Sequence, residues 1–169
     1  MVLNCSSKIV NNCLSAGNVT CIGDYAFRDC SGLTSFTIPN SVMSIGEKAF
    51  EGCSSLTSVS IPNSVKTIDN CAFWDCVSLT TVTIPESVTS IGWGAFQNCV
   101  GLTSVTIPES VKSIGDYTFS NCKSLISVTI PNSVTTIGPE AFEDCVGLTS
   151  VTIPESVVTI DYLAFDGCT

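Results

Sequence analysis

From Ile22 to Thr169, one spacing of apolar and small residues returns every 23 positions. The unit that starts at Ile22, IGDYAFRDCSGLTSFTIPNSVMS, is followed by close copies from Ile45, Ile68, Ile91, Ile114 and Ile137, and by a partial copy from Ile160. Repetition of this length and fidelity predicts a solenoid, in which each unit is one coil that buries its apolar face only against the coils beside it.

Within a unit the pattern changes character. The stretch Leu33 to Ile38 and its successors, such as Leu102 to Ile107, are rich in β-branched residues with alternation at their ends, which predicts a strand. Phe36, Val59, Val82, Val105, Val128 and Val151 then point inward with the isoleucine two residues on, and the Ser and Thr between them point outward. Proline follows at 39, 62, 85, 108, 131 and 154, where its fixed φ and missing N–H end the strand in a turn.

After that turn, Val42 and Ile45 and their counterparts re-enter the interior, followed by a slot that holds only Gly or Asp. The next stretch, for instance Glu47 to Glu51, suits one or two helical turns on the back of the solenoid. Phe27, Phe50, Phe73, Phe96, Phe119, Phe142 and Phe165 should stack as one interior column. The residue before each recurring cysteine is always Asp, Asn or Gly, a choice that fits a left-handed backbone.

Composition narrows the function. Hydrophobic residues make up 44% of the 169, which supplies a core for one domain. Fifteen acidic residues against six basic ones leave no basic stripe to displace counterions, so nucleic acid is not an expected partner. No apolar run approaches membrane-span length, so membrane insertion is not expected. Met1 to Lys8 lacks the basic flank and apolar run of a secretory signal, which leaves a cytoplasmic chain, a removed signal or a piece of a longer protein as the readings.

Without histidine, no Ser–His, Cys–His or histidine-based metal constellation can form, and no phosphate-binding glycine loop is present. No cofactor is expected, and the chain reads as non-catalytic. The 11 cysteines do not follow the spacing of a disulfide framework. Seven of them, Cys30, Cys53, Cys76, Cys99, Cys122, Cys145 and Cys168, share one slot, where parallel side chains favour buried thiols over disulfides or a metal site. Cys5 and Cys13 are candidates to pair with each other, and Cys71, in a variable slot expected at the surface, is the candidate reactive thiol.

The outward strand positions form a lawn of short hydroxyl side chains. Its central part comprises Thr57, Ser58, Ser60, Thr80, Thr81, Thr83, Thr103, Ser104, Thr106, Ser127 and Thr129, with Ile126 as the one bulky interruption. Regular rows of this kind suit an extended or repetitive partner, a protein or a glycan, while strand propensity on a wet surface explains the same residues without any partner. Trp74 and Trp93 on the back are the candidate interaction aromatics. Glu86 and Glu109 stack in consecutive turns but read as a solvated edge.

The recurring Ile-Gly-x-x-Ala-Phe-x-x-Cys-x-x-Leu-x-x-Val-x-Ile-Pro-x-x-Val resembles the BspA-like, or Treponema-type, leucine-rich repeat. That resemblance implies an α/β solenoid: a right-handed superhelix with a concave parallel β-sheet and short helical turns on the convex side. It also implies surface proteins of bacteria and parasitic protists that adhere to host matrix or other cells. Residues 1–21 are irregular and read as a degenerate repeat or cap, with 22–169 forming six full repeats and one partial repeat. The last repeat ends without a polar cap, which invites end-to-end self-association. The expected function is a protein-interaction or adhesion module, with a structural, self-associating scaffold as the alternative.

Overall fold

The computed structural model describes residues 14–15 and 18–169, with side chains from Val19 onward. Leu14–Ser15 pairs antiparallel with Asn18–Val19, and the repeating coils follow. The coils supply a two-residue strand and a wall of turns, and five of them a three-residue strand as well. The three-residue strands Ser35–Thr37, Ser58–Ser60, Thr81–Thr83, Ser104–Thr106 and Ser127–Thr129 form one parallel sheet in chain order. Equivalent residues face each other in it, Val59 opposite Val82 and Val105 opposite Val128.

The two-residue strands form a second parallel ladder at right of the proline turns in the chain. Cys21–Ile22, Ser44–Ile45, Thr67–Ile68 and Ser90–Ile91 make its first part, and Ser113–Ile114, Thr136–Ile137 and Thr159–Ile160 its second. Between the two ladders each proline turn is closed by a bond from the valine N–H three residues on, 3.0 Å for Val42 to the Pro39 carbonyl.

The third wall corrects the sequence-based expectation of helical turns: among the described residues there is no helix, and the fold is an all-β right-handed solenoid. Two slots per coil are left-handed. The one before the cysteine was legible, with φ of 59° at Asp29, 69° at Gly52 and 59° at Asn98. The second was not, because it holds Tyr25, Lys48, Cys71, Tyr117, Glu140 and Leu163 at φ between 52° and 58°. A residue with positive φ cannot continue a right-handed helix, and each such residue costs on the order of 1–2 kcal/mol.

Hydrogen bonds between coils offset that cost. Alternate amides donate to the next coil, Tyr25 N to Glu47 O at 2.9 Å, Phe27 N to Ala49 O at 2.7 Å and Asp29 N to Glu51 O at 2.7 Å. The amides between them close short turns within the coil, such as Ala26 N to Gly23 O at 3.2 Å. The same pattern bridges the gap in the second ladder, where Phe96 N reaches Thr118 O at 2.9 Å. Thr118 stands there in the slot that alanine fills in the other coils.

The core is continuous along the axis. Successive Phe rings from Phe27 to Phe165 stack with centroids 5.1, 5.1, 5.3, 5.5, 5.5 and 5.2 Å apart and nearly parallel planes. Around them lie the buried Leu, Val and Ile of every inward slot. The ladder cysteines from Cys30 to Cys145 are buried and carry thiols, not disulfides. From Cys53 onward each thiol also donates to a phenylalanine carbonyl one coil back, Cys76 Sγ to Phe50 O at 3.2 Å and Cys99 Sγ to Phe73 O at 3.2 Å. Those carbonyls already accept an amide within their own coil, so the thiol takes up a second lone pair that burial would leave empty. Cys21 is in a disulfide, and the pairing of Cys5 with Cys13 falls outside the described residues.

Candidate interaction face

The three-residue strands set the geometry of the exposed rows. With a side-chain period of two, placing Val59, Val82 and Val105 in the core leaves the residues on either side of them facing solvent. Thr57, Ser58, Ser60, Thr80, Thr81, Thr83, Thr103, Ser104, Thr106, Ser127 and Thr129 are all exposed, and Ile126 is 64% exposed among them. Neighbouring strands lie about 4.8 Å apart and alternate residues about 6.6 Å apart, so the rows form a near-rectangular grid.

The rows differ in what their hydroxyls are free to do. Thr57 Oγ1 donates to Thr34 O at 2.9 Å, Thr80 Oγ1 to Thr57 O at 3.3 Å and Thr103 Oγ1 to Thr80 O at 3.3 Å. These three hydroxyls therefore help to tie the coils together and present mainly methyl groups outward. The hydroxyls of Thr81, Thr83, Ser104 and Thr106 make no such bond among the described residues, which leaves them to water or a partner. Donor and acceptor capacity is thus concentrated in two rows of the grid.

Trp74 and Trp93 lie on the turn wall, in different settings. Trp74 is half-buried, with the Lys48 ammonium 5.4 Å from its ring, whereas Trp93 is 45% exposed. Cys71 corrects an expectation: it is fully buried, not at the surface. Its slot in the next coil is Gly94, whose missing side chain leaves room for Cys71 Sγ, since a Cβ there would stand 3.3 Å from the sulfur. Burial pushes the Cys71 thiol up to about 11, so it is a poor nucleophile at neutral pH.

Among the described residues, no group of three or more Cys, Asp or Glu is arranged to hold a metal ion. No helix of the described residues is long and apolar enough to cross a membrane. The sequence matches the model of the BspA type leucine rich repeat region over residues 4–125 and 44–169. The chain belongs to the BspA-type leucine-rich repeat family.

Among solved structures, this BspA-type chain is similar to a leucine rich cell surface protein from Faecalibacterium prausnitzii, with 44% identity and a TM-score of 0.80. The match covers 89% of this chain and 41% of that one, so the chain spans less than half of that relative. A leucine-rich repeat protein from Bacteroides ovatus matches at 34% identity and a TM-score of 0.66, covering 85% of this chain and 44% of that one. The Treponema pallidum leucine rich repeat protein matches at 29% identity and a TM-score of 0.57, over 74% of this chain and 68% of its own. A search of curated proteins found no match.

Proposed function

We propose that this BspA-type chain is a non-catalytic interaction and adhesion module that presents its Ser/Thr strand face to a protein or glycan at the cell surface. The observation that carries the reading is the pair of unbonded hydroxyl rows around Thr81, Thr83, Ser104 and Thr106, held flat and at fixed spacing by the parallel sheet. The surface setting is supported by the Faecalibacterium relative, which is named as a cell surface protein. Host matrix proteins and cell-surface glycans are the partners to try first, and the cap at 1–21 followed by repeats over 22–169 is the domain plan proposed with it.

The test is binding to arrays of defined matrix proteins and glycans, with the variant Thr81→Glu, Thr83→Glu, Ser104→Glu and Thr106→Glu beside the natural chain. The reading expects a saturable ligand that the variant loses while its melting curve stays cooperative. A ligand held equally well by both would remove the strand face from the proposal.

A further inference from the structure

The charges of this chain are sorted between its walls. All but three of the 15 acidic residues fall in the turn wall, the exceptions being Glu86, Glu109 and Glu155 in the proline turns. Of the five basic residues among those described, only Arg28 and Lys48 lie in that wall.

Both cations are already seated in the same way. The Arg28 guanidinium lies 5.7 Å from the Tyr25 ring centroid, and its Nη2 is 3.1 Å from Glu51 Oε1. The Lys48 ammonium lies over the Trp74 ring. A ring of this wall therefore holds a cation at two places within the molecule, with a carboxylate joining it at Arg28, as the ring quadrupole and local negative charge favour.

Later coils repeat the rings and carboxylates without the cation. Trp93, 45% exposed, occupies the column between Asn70 and Asp116. Tyr162 stands in the same outward column as Trp93 and Asp116 and follows Asp161, and its carbonyl accepts the Glu140 amide. Negative charge in the wall is also under-compensated inside it. Glu51 is 8% exposed, and while its Oε1 meets Arg28, its Oε2 has no hydrogen-bond partner among the described residues. Burial, with Glu140 alongside, holds the Glu143 carboxyl above its usual range.

We propose that the turn wall is a second interaction surface, distinct from the strand face, for a lysine- or arginine-rich stretch of another polypeptide. Its cations seat over Trp93 and Tyr162 against Asp116, Glu140 and Asp161. The two rings are three coils apart, about 14 Å, a distance that four or five residues of extended chain span.

The probe is a fluorescein-labelled decalysine peptide, with decaglutamate as its counterpart, read by anisotropy at physiological salt. Decalysine should bind saturably and decaglutamate should not. The variant Asp116→Asn, Glu140→Gln, Asp161→Asn should weaken decalysine about tenfold, and Trp93→Ala about threefold. A matched variant outside the wall, Glu86→Gln, Glu109→Gln, Glu155→Gln, removes the same charge and should stay within twofold. If a wall variant melts early, Trp93→Ala with Tyr162→Ala replaces it, since neither ring is part of the core. Equal losses in the two charge variants, no loss in Trp93→Ala, or no saturable decalysine binding would each overturn the proposal.

Discussion

Alkaline pH should unfold this protein through its cysteine ladder. Burial holds the Cys76, Cys99 and Cys122 thiols well above their ordinary range and pushes Cys145 up to about 12. In the unfolded chain a thiol ionises near 9.0. Between those values the unfolded chain gives up protons that the folded chain keeps. The contribution is therefore fully present below about pH 9 and is lost as the pH rises toward the folded-state values. At pH 10, one unit above the unfolded value, each thiol costs about 1.4 kcal/mol, and the four together roughly 5 to 6 kcal/mol. Domains commonly have only about 5–15 kcal/mol of stability to lose.

Urea unfolding followed by circular dichroism at pH 8, 9 and 10, in the presence of a phosphine reductant, measures this directly. Tyrosine and lysine titrate in the same range, so the deciding comparison is with Cys99→Ala. That variant should start about 1–3 kcal/mol less stable, because it loses buried sulfur packing and the bond to Phe73 O. From pH 8 to 10 it should lose about 1.4 kcal/mol less than the natural chain. Parallel pH profiles for the two proteins would mean that the thiol ionises without unfolding, and the reasoning would fail.

Three further outcomes follow from the coils. Phe96→Ala, which removes a fully buried ring stacked on both sides, should cost about 3–5 kcal/mol in urea unfolding. Gly92→Ala should be strongly destabilising, since its Cβ would fall 2.5 Å from the Asn70 amide nitrogen, whereas Gly32→Ala meets nothing within 4 Å and should stay near neutral; thermal melts of the pair separate the two. Glu143→Gln should raise the melting temperature at pH 7. The natural carboxyl is held above its usual range, so its contribution is favourable below the unfolded value and is lost as the pH rises, and the gain from the variant should vanish near pH 4.

The inward slots were readable because each repeats the same residue at the same place. Six or seven appearances of Phe, Leu, Val and Ile at a spacing of 23 leave no doubt about which side chains stack. The left-handed slot before each cysteine was readable for a chemical reason, since only Gly, Asn and Asp occur there. The slot four residues earlier was not, because Lys48, Tyr117 and Glu140 have ordinary preferences and reach positive φ only when the next coil accepts their amides. Helical turns were the natural reading of that stretch, and non-local bonds overrode it. Cys71 was misplaced for a similar reason: a variable slot reads as surface, and the cover comes from the coil above.

One pairing lies beyond any reading of a single unit. Asp24, Asn70 and Asp116 each fill the space that a Cβ would need at Gly46, Gly92 and Gly138 of the following coil. Where the preceding coil holds Glu47 or Pro139 instead, the glycine slot holds Asp69 or Asp161. The partners are 22 residues apart in sequence and meet only in the stack.

The sequence by itself determined the repeat, the core slots, the strand face and the family, because those depend on residue type at fixed spacing within one coil. The tertiary structure alone decided that the back wall is turns and not helix, that Cys71 is buried, and which hydroxyls are free. These outcomes depend on what the adjacent coil donates, accepts or occupies, and the energy of such contacts between coils exceeds the local preference of any short segment.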